Sequence, residues 1–266
     1  MIFQLNLRTL GEKTGMTKKV LVTGRSGLIG QAVYKNLGSQ YDLSALNRRK
    51  IPNVSCHRAD ISNLDAIQPA FEGKDSVVHL AAEVAANATW EKVLHHNIIG
   101  TYNVFEASRR AGVKRIIYAS SGATISKWED TQPYKSLVQG IESEIPRSWE
   151  KLTKHSPTRP SGLYGCSKVW GEVLARHFTD TSPLSILCVR IGAVNVDNRP
   201  SKKRDFSVWC SQGDIVHMIE SCLKAPENLK YDVFFAISNN ILSYRDIKHA
   251  QEKINFQPLD SADNYR

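Results

Sequence analysis

Short apolar runs alternate along the chain with stretches in which apolar positions recur three or four apart. Residues 19–23 (KVLVT) are apolar at both odd and even positions, as expected of a strand buried on both faces. Glycines follow at once, then a helical pattern to about residue 37. Further strands are predicted over 41–46, 54–58, 76–80 (SVVHL), 115–120 (RIIYAS), 184–191 (LSILCVRI) and 233–237 (VFFAI). Leu64, Ile67 and Phe71 share helical spacing within 63–71. Val93, Leu94, Ile98, Tyr102 and Phe105 mark one face of a helix over 91–111. Helices are also predicted over 162–177 and 215–223. Strands alternating with helices predict an α/β fold, a parallel sheet covered on both faces. Residues 126–160, richer in Pro, Ser, Glu, Lys and Trp, read as an irregular excursion. No repeat and no linker divides the chain, so residues 18–266 are expected to form one domain.

Composition narrows the class. Of the 266 residues, 41% are hydrophobic and 23% charged, which excludes a disordered chain and a disulfide-stapled mini-protein. The five cysteines are odd in number and widely spaced, as for reduced thiols in a cytoplasmic protein, and no metal-ligand spacing is present. No apolar run approaches the roughly 20 residues of a membrane span. Residues 1–17 are expected to be an N-terminal extension. Met16 opens MTKKVLVTG, and the residues before it lack the apolar core of a secretory signal, so they read as an upstream-start extension or a loose tail. The net charge of +9 fits an anionic partner. The charges are scattered, however, and the densest cluster is Lys202-Lys203-Arg204. A phosphorylated small molecule is expected rather than a nucleic acid.

The first motif is TGRSGLIG, residues 23–30, directly after a strand and opening a helix. Glycines at this spacing permit a tight turn, close backbone approach to a pyrophosphate and close helix–strand packing. The helix N-terminus then offers free N–H groups and partial positive charge. Dinucleotide folds often carry an acidic residue about 20 residues beyond the glycines, to hold the adenosine ribose. Here the segment reads Leu46-Asn47-Arg48-Arg49, with guanidiniums in place of a carboxylate. Guanidiniums suit a 2′-phosphate, so NADP is the expected cofactor, with NAD as the alternative.

The second motif is Ser120-Ser121 after a strand, followed downstream by Tyr164 and Lys168. Residues i and i+4 share a helix face. An ammonium beside a phenol favours the phenolate and lowers a pKa that starts at about 10, yielding a base for a hydroxyl proton.

In this order the motifs identify a resemblance to the extended short-chain dehydrogenase/reductase superfamily, in its NAD-dependent epimerase/dehydratase branch, from about residue 18 to the C-terminus. That implies a Rossmann-type doubly wound sheet with a small C-terminal substrate-binding region, formed by about residues 192–210 and 237–266. The resemblance implies a dinucleotide held by Gly24, Arg25, Ser26, Gly27, Leu28 and Ile29 of the glycine turn and by Asn47 and Arg48 after the second strand. Asp60 and Ile61 match the branch's acidic–apolar pair beside adenine. Leu80, Ala81 and Ala82, in HLAA, match its cofactor-lining signature, and Ile191 ends the VRI strand. It also implies catalytic roles for Ser121, Tyr164, Lys168 and Asn97: hydrogen bond to the reacting oxygen, acid/base, pKa and ribose partner, and support of the active-site architecture.

Within the branch the resemblance extends to the uronate dehydrogenases, through RPSGLYGCSKVWGEVLARHF and VRIGAVN. By that likeness Arg204 falls where an arginine holds the substrate carboxylate. Gly122 and Ala123 stand in place of an Asn-His pair, Ala193 in place of a serine, and Asn47 in place of the acidic ribose clamp, and the excursion is longer. The redox machinery is thus retained while the substrate end changes, towards a less polar or differently shaped molecule. Gly122, Ser121, Arg204 and Glu83, which follows the cofactor-lining alanines, are the candidate substrate residues. The expected activity is hydride transfer between nicotinamide and a hydroxyl or carbonyl carbon of a sugar or sugar acid. The alternative is a nucleotide-sugar epimerase or dehydratase that does not consume its cofactor. The helices around 91–111 and 162–177 are the expected faces of a homo-oligomer. Trp149, Trp170 and Trp209 read as packing anchors, and His95 and His96 as helix surface.

Overall fold

The computed structural model describes residues 17–85 and 87–266. The expected N-terminal extension therefore lies outside the described residues, apart from Thr17. Seven strands form one parallel sheet: β1 (Lys19–Thr23), β2 (Asp42–Asn47), β3 (Cys56–Arg58), β4 (Ser76–His79), β5 (Arg115–Ser121), β6 (Ser185–Ile191) and β7 (Tyr231–Ala236). Their order is β3-β2-β1-β4-β5-β6-β7. The chain winds outward from β1 to β3, then returns beside β1 as β4 and winds the other way. The reversal lies between β1 and β4, and a crevice opens there at the carboxyl ends of the strands.

Alternation along the strands explains why both faces are covered. On β1, Val20 and Val22 face one hydrophobic cluster while Leu21 faces the other. On β6, Leu187 and Val189 divide in the same way from Ile186 and Cys188. Helices α1 (Leu28–Leu37) and, later in the chain, α8 (Gln212–Lys224) and α9 (Lys248–Ile254) cover the first face. On the second face, α2 (Leu64–Ile67) is cut short by Pro69, and the residues after it tighten into a 3₁₀ turn, Gln68–Phe71. The helix predicted over 91–111 is α3 (Trp90–Val93), a π-helical turn at Leu94–Ile99 and α4 (Gly100–Arg110). The long α6 (Leu163–Thr181) packs beside α4 through Phe105 and Phe178, whose ring centroids lie 5.7 Å apart.

The segment 126–160 is more ordered than its composition indicates. It holds a 3₁₀ helix (Gly122–Asp130) and α5 (Tyr134–Gln139), which build a third core from Ile125, Tyr134, Leu137 and Leu152. That core also takes in Phe235, Tyr244 and Val208 of the short α7 (Asp205–Val208). The region beyond β6 therefore has three contributors, residues 122–152 as well as the two expected segments.

Close approach of α6 to β5 rests on Gly171. A Cβ there would overlap the fully buried ring and hydroxyl of Tyr118 on β5. Gly171→Ala should therefore destabilise the fold by about 1–3 kcal/mol through overpacking. Urea denaturation would measure this, and an unchanged midpoint would refute the close-packing account.

Candidate active site

β1 ends at Thr23 and the chain turns at Gly24 with φ +71°, a left-handed conformation that suits glycine. A Cβ at Gly24 would also lie 2.8 Å from the backbone nitrogen of Ala81 on the neighbouring crossover. Gly27 donates its N–H to the Gly24 carbonyl at 3.0 Å and precedes α1, whose first turn has no side-chain cap. Bare backbone and an uncapped helix N-terminus at the crevice are what a dinucleotide pyrophosphate requires, so these residues fit the cofactor the sequence implies.

A buried relay braces this turn. The Thr23 hydroxyl accepts the backbone N–H groups of Leu80 and Ala81, each at 3.1 Å. Its own proton then goes to His79 Nδ1 at 2.8 Å, which places the ring hydrogen on Nε2, 3.4 Å from the Thr101 hydroxyl. Burial holds the His79 pKa down to about 3, with the Lys168 charge acting in the same direction, so the ring is neutral and serves as a strut.

The crevice is a cleft of about 480 Å³. Gly24, Ser26, Gly27, Leu28 and Ile29 line one end, with Asn47, Arg48 and Ile61 beside them. Leu80, Ala81 and Ala82 form a wall, and Ser121, Tyr164, Lys168 and Ile191 close the other end. Asn47 accepts the Ser26 hydroxyl at 3.1 Å and donates to the Arg49 carbonyl at 3.0 Å. Exposed Arg48 lies 3.0 Å from His96 Nε2, and His96 also lines the cleft. The expectation that His96 is plain helix surface is thus overturned: the π-helical turn shifts the register and brings this ring to the crevice.

The reacting end is held from α6 and β5. Lys168 is only 3% exposed and donates to the Ala119 carbonyl at 2.7 Å. Its ammonium lies 5.6 Å from the centre of the Tyr164 ring. Burial pushes the Lys168 pKa down to about 7, while the Glu172 carboxylate one turn further along opposes this. Glu172 in turn accepts the Ser120 hydroxyl at 2.6 Å and pairs with Arg190 at 2.8–2.9 Å. The expected lowering of the Tyr164 pKa is not found. Burial pushes this phenol upward, and a hydrogen bond with Ser121 only partly offsets the rise. Desolvation therefore dominates at this phenol, and it acts on the neighbouring ammonium as well. The Ser121 hydroxyl oxygen accepts the Ala123 N–H at 3.1 Å.

Several predicted residues stand outside the cleft lining. Arg25 turns its guanidinium onto the ring of Tyr34, on the second turn of α1, 4.5 Å from the centroid, a cation–π contact. The Asp60 carboxylate accepts the Ser62 backbone N–H and hydroxyl on Oδ1, each at 2.9 Å, and its Oδ2 lies 3.7 Å from His96 Nε2, while Ile61 reaches the cleft. Asn97 is buried behind the wall. It accepts the Glu83 N–H at 2.8 Å and donates to the Glu83 carbonyl at 2.9 Å and the Ser167 hydroxyl at 3.0 Å, tying the loop after β4 to α6. The Glu83 carboxylate caps Ala85 N–H at 3.0 Å. Arg204 closes on Glu129 through two bonds of 2.5 and 2.7 Å, because the long excursion supplies this acid. Gly122 sits under Arg245. The cleft residues that the sequence did not reveal include Ala59, Val84 and Ala119, which lie close to recognised positions.

The model of the NAD dependent epimerase/dehydratase family matches residues 20–206. The chain belongs to that family. It is 32% identical over 257 residues to an NAD-dependent glucose-6-phosphate dehydrogenase of Haloferax volcanii, covering 93% of this chain and 95% of the relative. It is 33% identical over 254 residues to a uronate dehydrogenase of Agrobacterium fabrum, covering 94% and 87%. The crystal structure of a mutant uronate dehydrogenase from Agrobacterium tumefaciens, complexed with NAD, superposes with a TM-score of 0.78 at 30% identity, covering 94% and 88%. The Rossmann-type fold and the family expected from the motifs are borne out. Among the described residues, no cluster of His, Cys, Asp and Glu forms a metal site, and no helix is long and apolar enough to cross a membrane.

Proposed function

We propose that this chain is a nicotinamide-dependent dehydrogenase acting on a hydroxyl-bearing carbon of a sugar or sugar acid. The observation that carries the reading is the convergence of Ser121, Tyr164 and Lys168 on the cleft that the glycine turn opens. Both relatives described above are dehydrogenases matched over most of their length, which favours net oxidation over an epimerase or dehydratase cycle.

When bound, the dinucleotide supplies the hydride acceptor. In the oxidation, Tyr164 takes the hydroxyl proton of the substrate as the C–H hydride leaves. Ser121 holds the reacting oxygen by a hydrogen bond. Lys168, anchored on Ala119 beside the phenol, would reach the nicotinamide ribose of a bound cofactor and orient it against Tyr164. Asn97 sets the height of α6 against the wall through Ser167. Asn47, Arg48 and the glycine turn would hold the adenosine and phosphate end of a bound dinucleotide, and Arg48 would favour NADP because no carboxylate stands at the end of β2 to repel a 2′-phosphate. The exposed sides of α4 and α6, with Tyr102 and Val173, form the contact of a homo-oligomer.

Three outcomes are expected. Tyr164→Phe lowers kcat by about 10²–10⁴ with cofactor affinity retained. Because burial raises the Tyr164 pKa, the phenolate base accumulates only as pH climbs. Oxidation by the parent enzyme therefore accelerates into the alkaline range while the reverse reduction slows, and the variant loses this dependence. Retention of activity within tenfold would sink the assignment. Arg48→Ala should reduce kcat/KM for NADP about tenfold or more and spare NAD; equal use of both cofactors by the parent defeats the preference. In gel filtration, Val173→Glu should elute as a monomer where the parent does not; a monomeric parent excludes the oligomer.

A further inference from the structure

Arg245 follows Tyr244 in the segment after β7 and is only 2% exposed. Its Nε and Nη1 atoms have no hydrogen-bond partner, and Nη2 has one weak contact, donating to the Tyr244 hydroxyl at 3.3 Å. No carboxylate among the described residues lies within salt-bridge distance of it. The nearby Glu129 is already engaged by Arg204 through both oxygens and accepts the Tyr244 hydroxyl at 2.5 Å. Arg204 is compensated by Glu129 and by the neighbouring Asp205, whereas Arg245 has no carboxylate in contact.

A buried guanidinium with unsatisfied N–H groups is costly and calls for an acceptor. Its position shows where the acceptor would come from. Both terminal nitrogens lie where a side chain at residue 122 would begin, so Arg245 depends on Gly122 being bare. Gly122 follows Ser121, which lines the reacting end of the cleft. The guanidinium therefore sits one residue behind Ser121, just beneath the cleft lining, which includes neither Gly122 nor Arg245 itself.

We propose that Arg245, rather than Arg204, anchors an oxyanion of the substrate, the carboxylate or phosphate of an anionic sugar, at the Ser121 end of the cleft. This rests on the dehydrogenase reading given above and names the substrate class. Arg204 acts as a positioning residue: it neutralises Glu129, and Glu129 holds Tyr244 beside Arg245.

The test compares glucuronate, glucose 6-phosphate and glucose as substrates, with NAD and NADP, for the parent, Arg245→Met and Arg245→Lys. The parent should prefer one anionic sugar, and the comparison of glucuronate with glucose 6-phosphate tells carboxylate from phosphate. Arg245→Met should reduce the ratio of kcat/KM for that sugar over glucose by about 100-fold, chiefly through KM, and Arg245→Lys should restore part of it. A ratio unchanged within threefold, or a parent that prefers glucose, overturns the proposal while the dehydrogenase reading stands. Should Arg245→Met not fold, the lysine variant carries the comparison, with a partial loss expected and no loss refuting. Thermal shifts separate the two readings where no sugar is turned over. Stabilisation of the parent but not of Arg245→Met by inorganic phosphate or glucuronate upholds the anchor without the dehydrogenase. Absence of stabilisation in the parent overturns it.

Discussion

The Lys168 ammonium is buried under the end of β5 and bonded to the Ala119 carbonyl, and the geometry of the reacting end is built around it. A lone ammonium in that position would be expelled or neutralised. Glu172, one helical turn along, opposes this with a carboxylate that is itself locked by Ser120 and by Arg190 on β6. The charge is thus shared among two strands and one helix, and α6 cannot rotate or slide without breaking it. Tyr164, one turn before Lys168, is aimed by the same restraint. Gly171 lets the helix sit low enough against Tyr118 for the ammonium to reach its carbonyl.

The cofactor end depends on a second buried polar assembly, of different character. Thr23, His79 and Thr101 carry no net charge, because burial keeps the imidazole neutral. They satisfy the backbone at Leu80 and Ala81, where the strand order reverses and neighbouring connections diverge. One end of the crevice is therefore braced by a charged network and the other by a neutral one. A pyrophosphate would be held at the neutrally braced end by bare backbone and the helix N-terminus.

Much of this was legible in the sequence because the relevant signals are local. Strand alternation, the glycine turn and the i, i+4 pair of Tyr164 and Lys168 each lie within a few residues of one another. The positions of Leu80, Ala81 and Ser121 follow from strand ends. Other features depend on contacts across long separations. His96 reaches the cleft only because a π-helical turn changes the register of a helix whose apolar spacing reads as regular. Asn97 is singled out by the family resemblance, but its grip on Glu83 and Ser167 is a tertiary matter. The excursion of 126–160 reads as irregular because its apolar residues face partners at 208, 235 and 244 and follow no single period. Arg245 carries no sequence signal at all. An arginine in SYRDI becomes noteworthy only when its nitrogens are found buried, unpartnered and against a glycine more than a hundred residues away.

The redox half and the substrate half of the cleft are consequently assembled in different ways. Residues that handle the dinucleotide and the proton come from strand ends and one helix, so changing any of them disturbs the sheet. The substrate end joins Gly122, Glu129, Arg204, Tyr244 and Arg245, which the sheet does not position directly. In this set each member constrains another: Glu129 removes Arg204 from solvent-facing duty, and the bare Gly122 makes room for Arg245. A side chain at residue 122 would evict the guanidinium, and loss of Glu129 would release both Arg204 and the Tyr244 hydroxyl. Residues 122, 129, 204 and 245 thus form one linked arrangement of charge, and the excursion is the physical means by which its acid, Glu129, is delivered.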